Sequence, residues 1–418
     1  MDLSVILPCH NEGKNLALLL PKLHKILNKI TRDYEIIVID NNSKDKTALY
    51  CKEHNAKLFQ QQEKGYGSAL KLGFKRAKGS FIITMDGDMS HNPLFIIDLW
   101  DKKNDADILI ASRYIKGGSA DISLFRRVLS TSLNKFFAYV LATPLKDLSS
   151  GFRIYNSSVI ENMKLNGINF NILQEIIVRA YSEGYSVEEI PFHYSQRKEG
   201  RSKARLIKLG FSYLKTLKYL WFLRNSLNSA DYDDRAYNSK IPLQRYWQRK
   251  RYRTVMGMLD AKDSILDVGS GSSKIIQHLK NAVALDFAMN KLRYIKKTNR
   301  YLVNGNAMNL PFKDSSFKTI ICSEVLEHVN DDMSLVKEIN RVLKKNGALI
   351  IGTPDYNKLT WKFLERAHGL FLGDLLNVHI NQRTKKTLIK LLKENGFKII
   401  SYRYIFNSEL IVKAKKIK

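Results

Sequence analysis

Residues 3–12 read Leu3-Ser4-Val5-Ile6-Leu7-Pro8-Cys9-His10-Asn11-Glu12, and residues 264–272 read Ser264-Ile265-Leu266-Asp267-Val268-Gly269-Ser270-Gly271-Ser272. Each is a short apolar run that stops at a polar turn, the pattern of a buried strand handing over to a helix. Between them, residues 225–253 are polar and charged with no apolar period, and read as a linker region. Strands alternate with helical patterns on both sides, so the expected fold class is α/β, with two domains and mostly parallel sheets. The expected boundaries are 1–225 for the first domain, 226–244 for the linker and 245–418 for the second domain. There is no internal repeat and no low-complexity segment.

Composition narrows the classes. A hydrophobic content of 44% over 418 residues is enough for real cores and excludes an intrinsically disordered chain. Lys+Arg outnumber Asp+Glu by 69 to 40, a net charge of +29. Such a surface attracts nucleic acid, anionic lipid or phosphorylated substrates. No nucleic-acid motif accompanies the charge, so no nucleic-acid partner is expected. Three scattered cysteines (Cys9, Cys51, Cys322) make neither a disulfide framework nor a structural zinc site, and suggest a reducing compartment. Met1 to Glu12 lacks the basic start of a signal peptide. No uncharged apolar stretch reaches the roughly 18 residues of a membrane span.

In the first domain, strands are expected at 5–7, 35–40, 81–85 and 107–111. Helices are expected near 15–27, 46–54, 68–77 and onward from Pro93. Ligands of α/β sheets bind at the carboxyl ends of strands. Those ends carry Pro8 to Glu12, Asp40-Asn41-Asn42-Ser43 and Asp86-Gly87-Asp88. Acids from three strand ends in one crevice repel unless a divalent cation sits between Asp86 or Asp88 and a diphosphate, and Mg²⁺ uses one or two carboxylates in this way. Asp40 and Glu12 are alternatives for binding base or ribose, and Asp40 is equally an ordinary helix cap.

These stretches, with Lys64-Gly65-Tyr66-Gly67-Ser68-Ala69, Ser112-Arg113-Tyr114, Asp147-Leu148-Ser149-Ser150-Gly151-Phe152-Arg153 and Arg197-Lys198-Glu199-Gly200-Arg201-Ser202-Lys203, resemble family two glycosyltransferases of GT-A fold. More narrowly, the region is similar to the dolichyl- and polyprenyl-phosphate mannose synthases, a resemblance over about residues 1–225. It implies inverting transfer of a hexose from a nucleotide sugar (GDP-mannose or UDP-glucose) to a lipid phosphate. By the same resemblance Pro8, His10, Glu12 and Asp40 line the nucleotide, and Asp86 and Asp88 hold Mg²⁺ or Mn²⁺. Arg113, Arg126 or Arg127, Arg197 and Lys203 receive the acceptor phosphate and the leaving diphosphate. Two positions depart from common relatives: Asn41 stands where many have a second acid, and Ser90 where some have Gln. From Arg197 to Arg224 the chain reads as a basic amphipathic helix with an apolar stripe of Leu206, Leu209, Tyr213, Leu214, Leu217, Leu220 and Trp221. It is either an interfacial helix or a helix packed on the sheet. The interfacial reading implies peripheral contact with an anionic membrane surface, on the cytoplasmic face.

In the second domain the glycine turn lets backbone approach a ligand at a helix start. Asp286 follows Asp267 by 19 residues, close to the spacing of an acid that binds ribose hydroxyls. With Gly305-Asn306-Ala307-Met308-Asn309-Leu310-Pro311-Phe312, Ser323-Glu324-Val325-Leu326-Glu327-His328-Val329 and the stretch from Arg341 to Leu349, this region resembles class I S-adenosylmethionine-dependent methyltransferases of Rossmann-like fold. The resemblance implies that Asp267, Gly269, Gly271, Asp286, Asn306 and Ala307 contact S-adenosyl-L-methionine. Asn306 stands where relatives usually have Asp. Glu327, His328 and His379 are candidate bases. The expected function is a glycosyltransferase fused to a methyltransferase of the same glycan pathway. The alternative is a glycosyltransferase acting on a polysaccharide or protein, with a non-catalytic S-adenosylmethionine-binding scaffold.

Overall fold

A computed structural model describes residues 1–161, 163–195, 206–260, 264–299, 301–372 and 379–417. The chain forms two compact units, Met1–Asn225 and Ser226–Lys418.

The first unit opens with β1 (Leu3–Cys9), α1 (Gly13–Ile30), β2 (Tyr34–Asp40), α2 (Thr47–Glu53), β3 (Lys57–Gln60), α3 (Tyr66–Arg76) and β4 (Phe81–Thr84). It continues with α4 (Phe95–Asp101), β5 (Ile108–Ser112), β6 (Ser119–Ala120), α5 (Leu124–Val140), β7 (Arg153–Asn156) and α6 (Ser157–Glu161). It ends with α7 (Ile172–Ser182), β8 (Val187–Pro191), β9 (His193–Tyr194) and α8 (Leu206–Asn225). Seven strands form one sheet in the order β3-β2-β1-β4-β7-β5-β8, with β7 antiparallel to both neighbours. Strand β1 is buried on both faces, as a central parallel strand must be. Leu3, Val5 and Leu7 pack with Leu16, Leu20 and Leu23 of α1, while Ile6 packs on the other face with Leu70 of α3 and Ile176 of α7. Leucines of α1 at positions 16, 19, 20, 23 and 27 supply the buried stripe.

Two strands are added here to the sequence reading, and one open alternative is narrowed. β3 and the antiparallel β7 were not legible, because four-residue strands carry too little period. The described part of α8 is a core helix: Leu217 and Leu220 are buried in the first unit, and Arg224 is buried too, donating from Nε to the Leu141 carbonyl (3.1 Å). This favours packing on the sheet over lying on lipid. Arg197, Lys198, Arg201, Lys203 and Arg205 lie outside the described residues. Among the described residues no helix is long and apolar enough to cross a membrane.

The second unit begins with α9 (Tyr232–Tyr237) and α10 (Pro242–Met258), where a linker was expected. Ala230 and Ala236, inside the expected linker, are buried, and Val255 and Met258 of α10 pack with Ile265, Ile276 and Ile411, so residues 226–258 are part of the folded unit. Then come β10 (Ile265–Val268), α11 (Lys274–His278), β11 (Val283–Asp286), α12 (Met289–Ile295), β12 (Leu302–Asn304) and β13 (Phe317–Ser323). They are followed by α13 (Asp332–Val342), β14 (Leu343–Pro354), α14 (Leu359–Leu372), α15 (Lys385–Glu394), β15 (Phe397–Ile405) and β16 (Glu409–Lys416). The sheet order is β12-β11-β10-β13-β14-β16-β15, a doubly wound arrangement whose order reverses between β10 and β13. β16 runs antiparallel to both of its neighbours, β14 and β15. The observed fold class is the α/β, two-domain architecture expected, with β6 and β9 forming a separate two-stranded sheet in the first unit.

Candidate functional sites

In the first unit, β1 lies between β2 and β4, so all three acid-bearing strand ends share one edge of the sheet. The loops after β1 and β2 are stitched together. His10 Nδ1 is 2.7 Å from the Asn41 carbonyl, Asn11 N–H donates to Ser43 Oγ (2.7 Å), and Lys44 N–H donates to Asn11 Oδ1 (2.8 Å). Asp40, only 1% exposed, accepts from the Ser43 N–H and hydroxyl and from Gln60 Nε2 (3.0 Å). Its carboxylate therefore anchors the turn, and any contact with a nucleotide is an addition to that work. Glu12 accepts from Asn15 Nδ2 at 2.6 Å.

The Asp86-Gly87-Asp88 turn packs onto the end of β1: a Cβ at Gly87 would lie 2.7 Å from Cys9 Sγ. Asp88 is buried, and its Oδ1 accepts from both the N–H (3.0 Å) and the hydroxyl (2.5 Å) of Ser90. Asp86 N–H donates to His91 Nδ1 (3.0 Å), which leaves a neutral His91 with its proton on Nε2, 3.8 Å from Asp86 Oδ2. Phe152 stacks on His91 at 4.9 Å and fixes the ring.

Sequence reasoning gave no role to two neighbours. Among the described residues the buried Tyr66 hydroxyl has no hydrogen-bond partner, and burial, then Asp86, pushes it well above its usual range. Gly151 leaves room for it, since a Cβ there would sit 2.4 Å from the phenol oxygen and 3.8 Å from Asp86 Oδ1. Arg153 is fully buried and donates to the carbonyls of Leu148, Ser150 and Leu173, which fixes the Gly151 loop. Both residues stood in quoted motifs, but neither a lone Tyr nor a lone Arg signals burial.

Arg113 is engaged within the protein. Its Nε and Nη2 grip the two oxygens of buried Asp147 (2.8 Å each), and Nη2 also donates to Ser149 Oγ (2.8 Å). Burial penalises both charges, yet Asp147 titrates below and Arg113 above its ordinary range because each offsets the penalty of the other. Nε and Nη2 of the guanidinium are used inside the protein, and Nη1 makes no hydrogen bond among the described residues. Arg126 and Arg127 are exposed on α5. A wider concavity of about 720 Å³ opens by Lys78, Gly79 and Ser80, which lead into the start of β4, away from the acids.

In the second unit, a cavity of about 260 Å³ opens at the carboxyl end of β10. Its lining includes Asp267, Gly269, Gly271 and Asp286, which the structure therefore brings together. Gly269 and Gly271 have φ of +66° and +55°; a Cβ would lie 2.2 Å from Val325 Cγ2 and 2.6 Å from Asp233 Oδ2 respectively. Asp286 accepts from the N–H groups of Gly271 (2.8 Å) and Ala288 (2.8 Å). Asn306 and Ala307 are not in the lining; Asn306 Oδ1 accepts from Met308 N–H (2.9 Å), so its oxygen is used in a local turn rather than held out for an adenine.

The expected linker supplies much of the remaining wall. Asp233 accepts from Ser272 N–H (3.0 Å) and Ser272 Oγ (3.1 Å), and Lys291 Nζ lies 3.3 Å away. Arg251 Nε and Nη2 bind Glu409, and Nη2 also meets Glu324 Oε2 at 2.9 Å. The signal missed was the Tyr- and Arg-rich composition of this segment, which reads as solvated when its partners are unknown. Glu327, His328 and His379 do come together, with one ligand atom from each within 4.8 Å of the others. Burial pushes Glu327 up to about 7; burial, then His328, lowers His379 to about 4.

Burial, reinforced by Asp286, pushes the Asp267 carboxyl up to about 8. Between about pH 4 and 8 the folded chain holds a proton there that the unfolded chain has released, so this group's contribution to stability falls as pH rises across that window. Asp267→Asn removes the slope. Its melting temperature, compared with that of the unsubstituted protein, should climb as pH is raised through neutrality; parallel curves would refute the buried neutral carboxyl.

Comparison with known proteins follows the same division. The glycosyl transferase family 2 model matches residues 4–163, and a methyltransferase domain model matches residues 266–351. A dolichol-phosphate mannosyltransferase of Pyrococcus furiosus is 37% identical over 226 residues, 51% of this chain and 62% of that protein, so the chain spans less than two thirds of its length. A polyprenol monophosphomannose synthase of Mycolicibacterium smegmatis is 30% identical over 54% of this chain and 89% of that protein. Two solved structures match in part. One is a glucosyl-3-phosphoglycerate synthase from Mycobacterium tuberculosis (15% identity, 53% of this chain, 78% of that chain, TM-score 0.43). The other is an S-adenosylmethionine-dependent methyltransferase from Thermotoga maritima (19%, 44% of this chain, 94% of that chain, TM-score 0.39). The chain belongs to glycosyltransferase family 2, among relatives of the polyprenyl-phosphate mannose synthases, and carries a methyltransferase domain on the same polypeptide.

Proposed function

We propose that the first unit transfers a hexose, mannose or glucose, from a nucleotide diphosphate sugar to a polyprenyl or dolichyl phosphate with inversion. In the same reading the second unit binds S-adenosyl-L-methionine and methylates a sugar or lipid-linked glycan of that pathway. The observation that carries the first half is the stitched edge where β1, β2 and β4 gather Pro8, His10, Glu12, Asp40, Asp86 and Asp88. The names of the two curated relatives support the donor and acceptor classes.

The residues present fit a divalent ion. Two carboxylates share the edge, Asp86 has a 28% exposed side chain, and the Tyr66 hydroxyl beside it has no hydrogen-bond partner among the described residues. Asp86 and Asp88 would hold Mg²⁺ or Mn²⁺, which when bound neutralises the leaving diphosphate. The acceptor phosphate is already anionic near neutral pH and needs no strong base. The protein's task is to aim it at the anomeric carbon from the face opposite the nucleotide, and attack from that face inverts the centre.

Helix α5 supports a lipid-borne acceptor. Its inner face hydrogen-bonds the site wall: Asn134 Nδ2 donates to Ser149 Oγ (3.1 Å), and Leu148 N–H donates to Asn134 Oδ1 (2.8 Å). Its outer face exposes Leu124, Phe125, Val128, Leu133, Phe136 and Tyr139, with Arg126, Arg127 and Lys135 alongside. An apolar face ringed by cations suits shallow insertion into an anionic membrane surface, where each basic side chain adds about 1 kcal/mol.

For the methyl donor, Gly269 and Gly271 line the cavity at positive φ with no room for a Cβ, and Asp286, held by two backbone N–H groups, also lines it, which supports a role on the ribose. S-adenosyl-L-methionine supplies an electrophilic methyl group; the residues around it orient that group and exclude water.

The test of transfer presents a short polyprenyl phosphate in anionic vesicles with Mn²⁺ and a panel of nucleotide sugars, and weighs the lipid. The expected product is heavier by one hexose, and Phe125→Ser with Leu133→Ser slows its formation on vesicles more than in detergent. No lipid product from any donor sugar sinks the reading.

A further inference from the structure

A short 3₁₀ turn, Leu326–His328, follows β13 at the rim of the second unit's cavity, and His328 lines that cavity. The N–H groups of Ile380 and Asn381 donate to the Glu327 carbonyl (2.7 and 3.2 Å). Asn381 Nδ2 also donates to the Val329 carbonyl. This clamp brings His379 from far along the chain to His328, with ring centroids 4.9 Å apart.

The Glu327 carboxylate meets the two imidazoles there. Glu327 is fully buried; Oε2 accepts from Thr353 Oγ1 (3.2 Å), but Oε1 is buried with no hydrogen-bond partner among the described residues. A carboxylate oxygen left bare in the interior is costly, and a nearby cation is one of the few ways to relieve it. His379 has a built second layer. Its Nδ1 lies 2.5 Å from the Tyr356 hydroxyl and 3.3 Å from Glu365 Oε1, and that hydroxyl is itself 3.3 Å from the same carboxylate oxygen. Ionised, Glu365 only accepts, so the tyrosine proton points to it and Nδ1–H points to the tyrosine. Nε2 is then the nitrogen with the lone pair. Metal-bound histidines are oriented by this kind of relay to a carboxylate. Trp361 stacks on the His379 ring at 5.9 Å and 25°.

We propose that Glu327, His328 and His379 form a binding site for one divalent transition-metal ion of the zinc and cobalt class at the rim of the second unit's cavity. Two imidazoles and one carboxylate suit these ions, whereas Mg²⁺ and Ca²⁺ favour all-oxygen sets. Three protein ligands leave a coordination position open, and His328 is exposed, so a water or an acceptor oxygen has access. The site stands on its own geometry; only its use in activating a methyl acceptor rests on the methyl-transfer reading above.

The test uses the full, untagged chain carrying Asp86→Ala and Asp88→Ala, which silences the other cation site. Co²⁺ alone is titrated, and its visible absorption bands report the ligands. One equivalent with bands of a nitrogen- and oxygen-ligated ion is expected. His328→Gln and His379→Gln should abolish the bands, and Tyr356→Phe should weaken binding about 10- to 100-fold through the loosened relay. Absence of the bands in the parent, or bands unchanged in both histidine variants, overturns the proposal. Should the histidine variants fail to fold, the near-isosteric Glu327→Gln decides: cobalt affinity within threefold of the parent overturns the site, and a larger loss supports it. S-adenosyl-L-methionine binding is measured on the same samples. Bands present without that binding would leave the metal site standing and sink the methyl-transfer reading instead.

Discussion

Asp88→Ala is expected to abolish sugar transfer by the first unit while leaving S-adenosyl-L-methionine binding by the second unchanged. Asp88 is 4% exposed, and Ser90 directs two donors at its Oδ1, so its carboxylate is held in one orientation rather than left to wander. A metal clamp on a transferring group supplies several kcal/mol of stabilisation to developing charge. At about 1.4 kcal/mol per tenfold, a loss of about 4 kcal/mol is a thousandfold fall in turnover. Asp88→Asn keeps the shape and the Ser90 contacts but not the charge, so it should fall nearly as far; a structural role alone would spare it. Product mass under saturating Mn²⁺ and calorimetric titration of the methyl donor measure the two halves. Turnover within tenfold of the parent in both variants would remove Asp88 from the metal site, and simultaneous loss of donor binding would contradict two separate sites.

Arg251→Leu should produce the largest loss of stability in the second unit. Arg251 grips Glu409 through Nε (2.7 Å) and Nη2 (2.8 Å) and meets Glu324 at 2.9 Å. Glu409 is fully buried, and Trp247 Nε1 also donates to it. Burial drives Glu324 well above its usual range, and Arg251 is the group that opposes this. Removing one member of a buried pair leaves its partner's charge uncompensated, at a cost of about 3–5 kcal/mol. For a unit of this size, each kcal/mol lowers the melting temperature by about 2–4 °C, so a fall of about 10 °C is expected in the transition assigned to the second unit. Adding Glu409→Gln should recover part of the loss, because the two sites share one interaction. A fall of under two degrees, or no recovery in the double variant, would show that the cluster is solvated instead. The same variant should weaken methyl-donor binding, since Arg251 lines the cavity.

Much of this protein was legible along the chain because its information is local. A buried parallel strand is a run of apolar residues, and β1 and β10 each show one ending in a turn. Acids at strand ends and glycines at helix starts recur at spacings fixed by the strand–turn–helix unit, so Asp86, Asp88, Asp267, Gly269, Gly271 and Asp286 are readable as a set. Tertiary packing decided what each charged side chain faces. Arg113 has the composition of a phosphate ligand, yet the loop at Asp147 closes on it. Arg224 belongs to a basic-looking helix, yet its guanidinium is buried on the carbonyls of residues 141 and 142. His379 is an unremarkable histidine until the clamp on Glu327 sets it beside His328. Period and turn chemistry depend on neighbours a few residues away and survive in any fragment. The partner of a charge depends on which distant segments are brought close, and that is settled only when the cores of both units are packed.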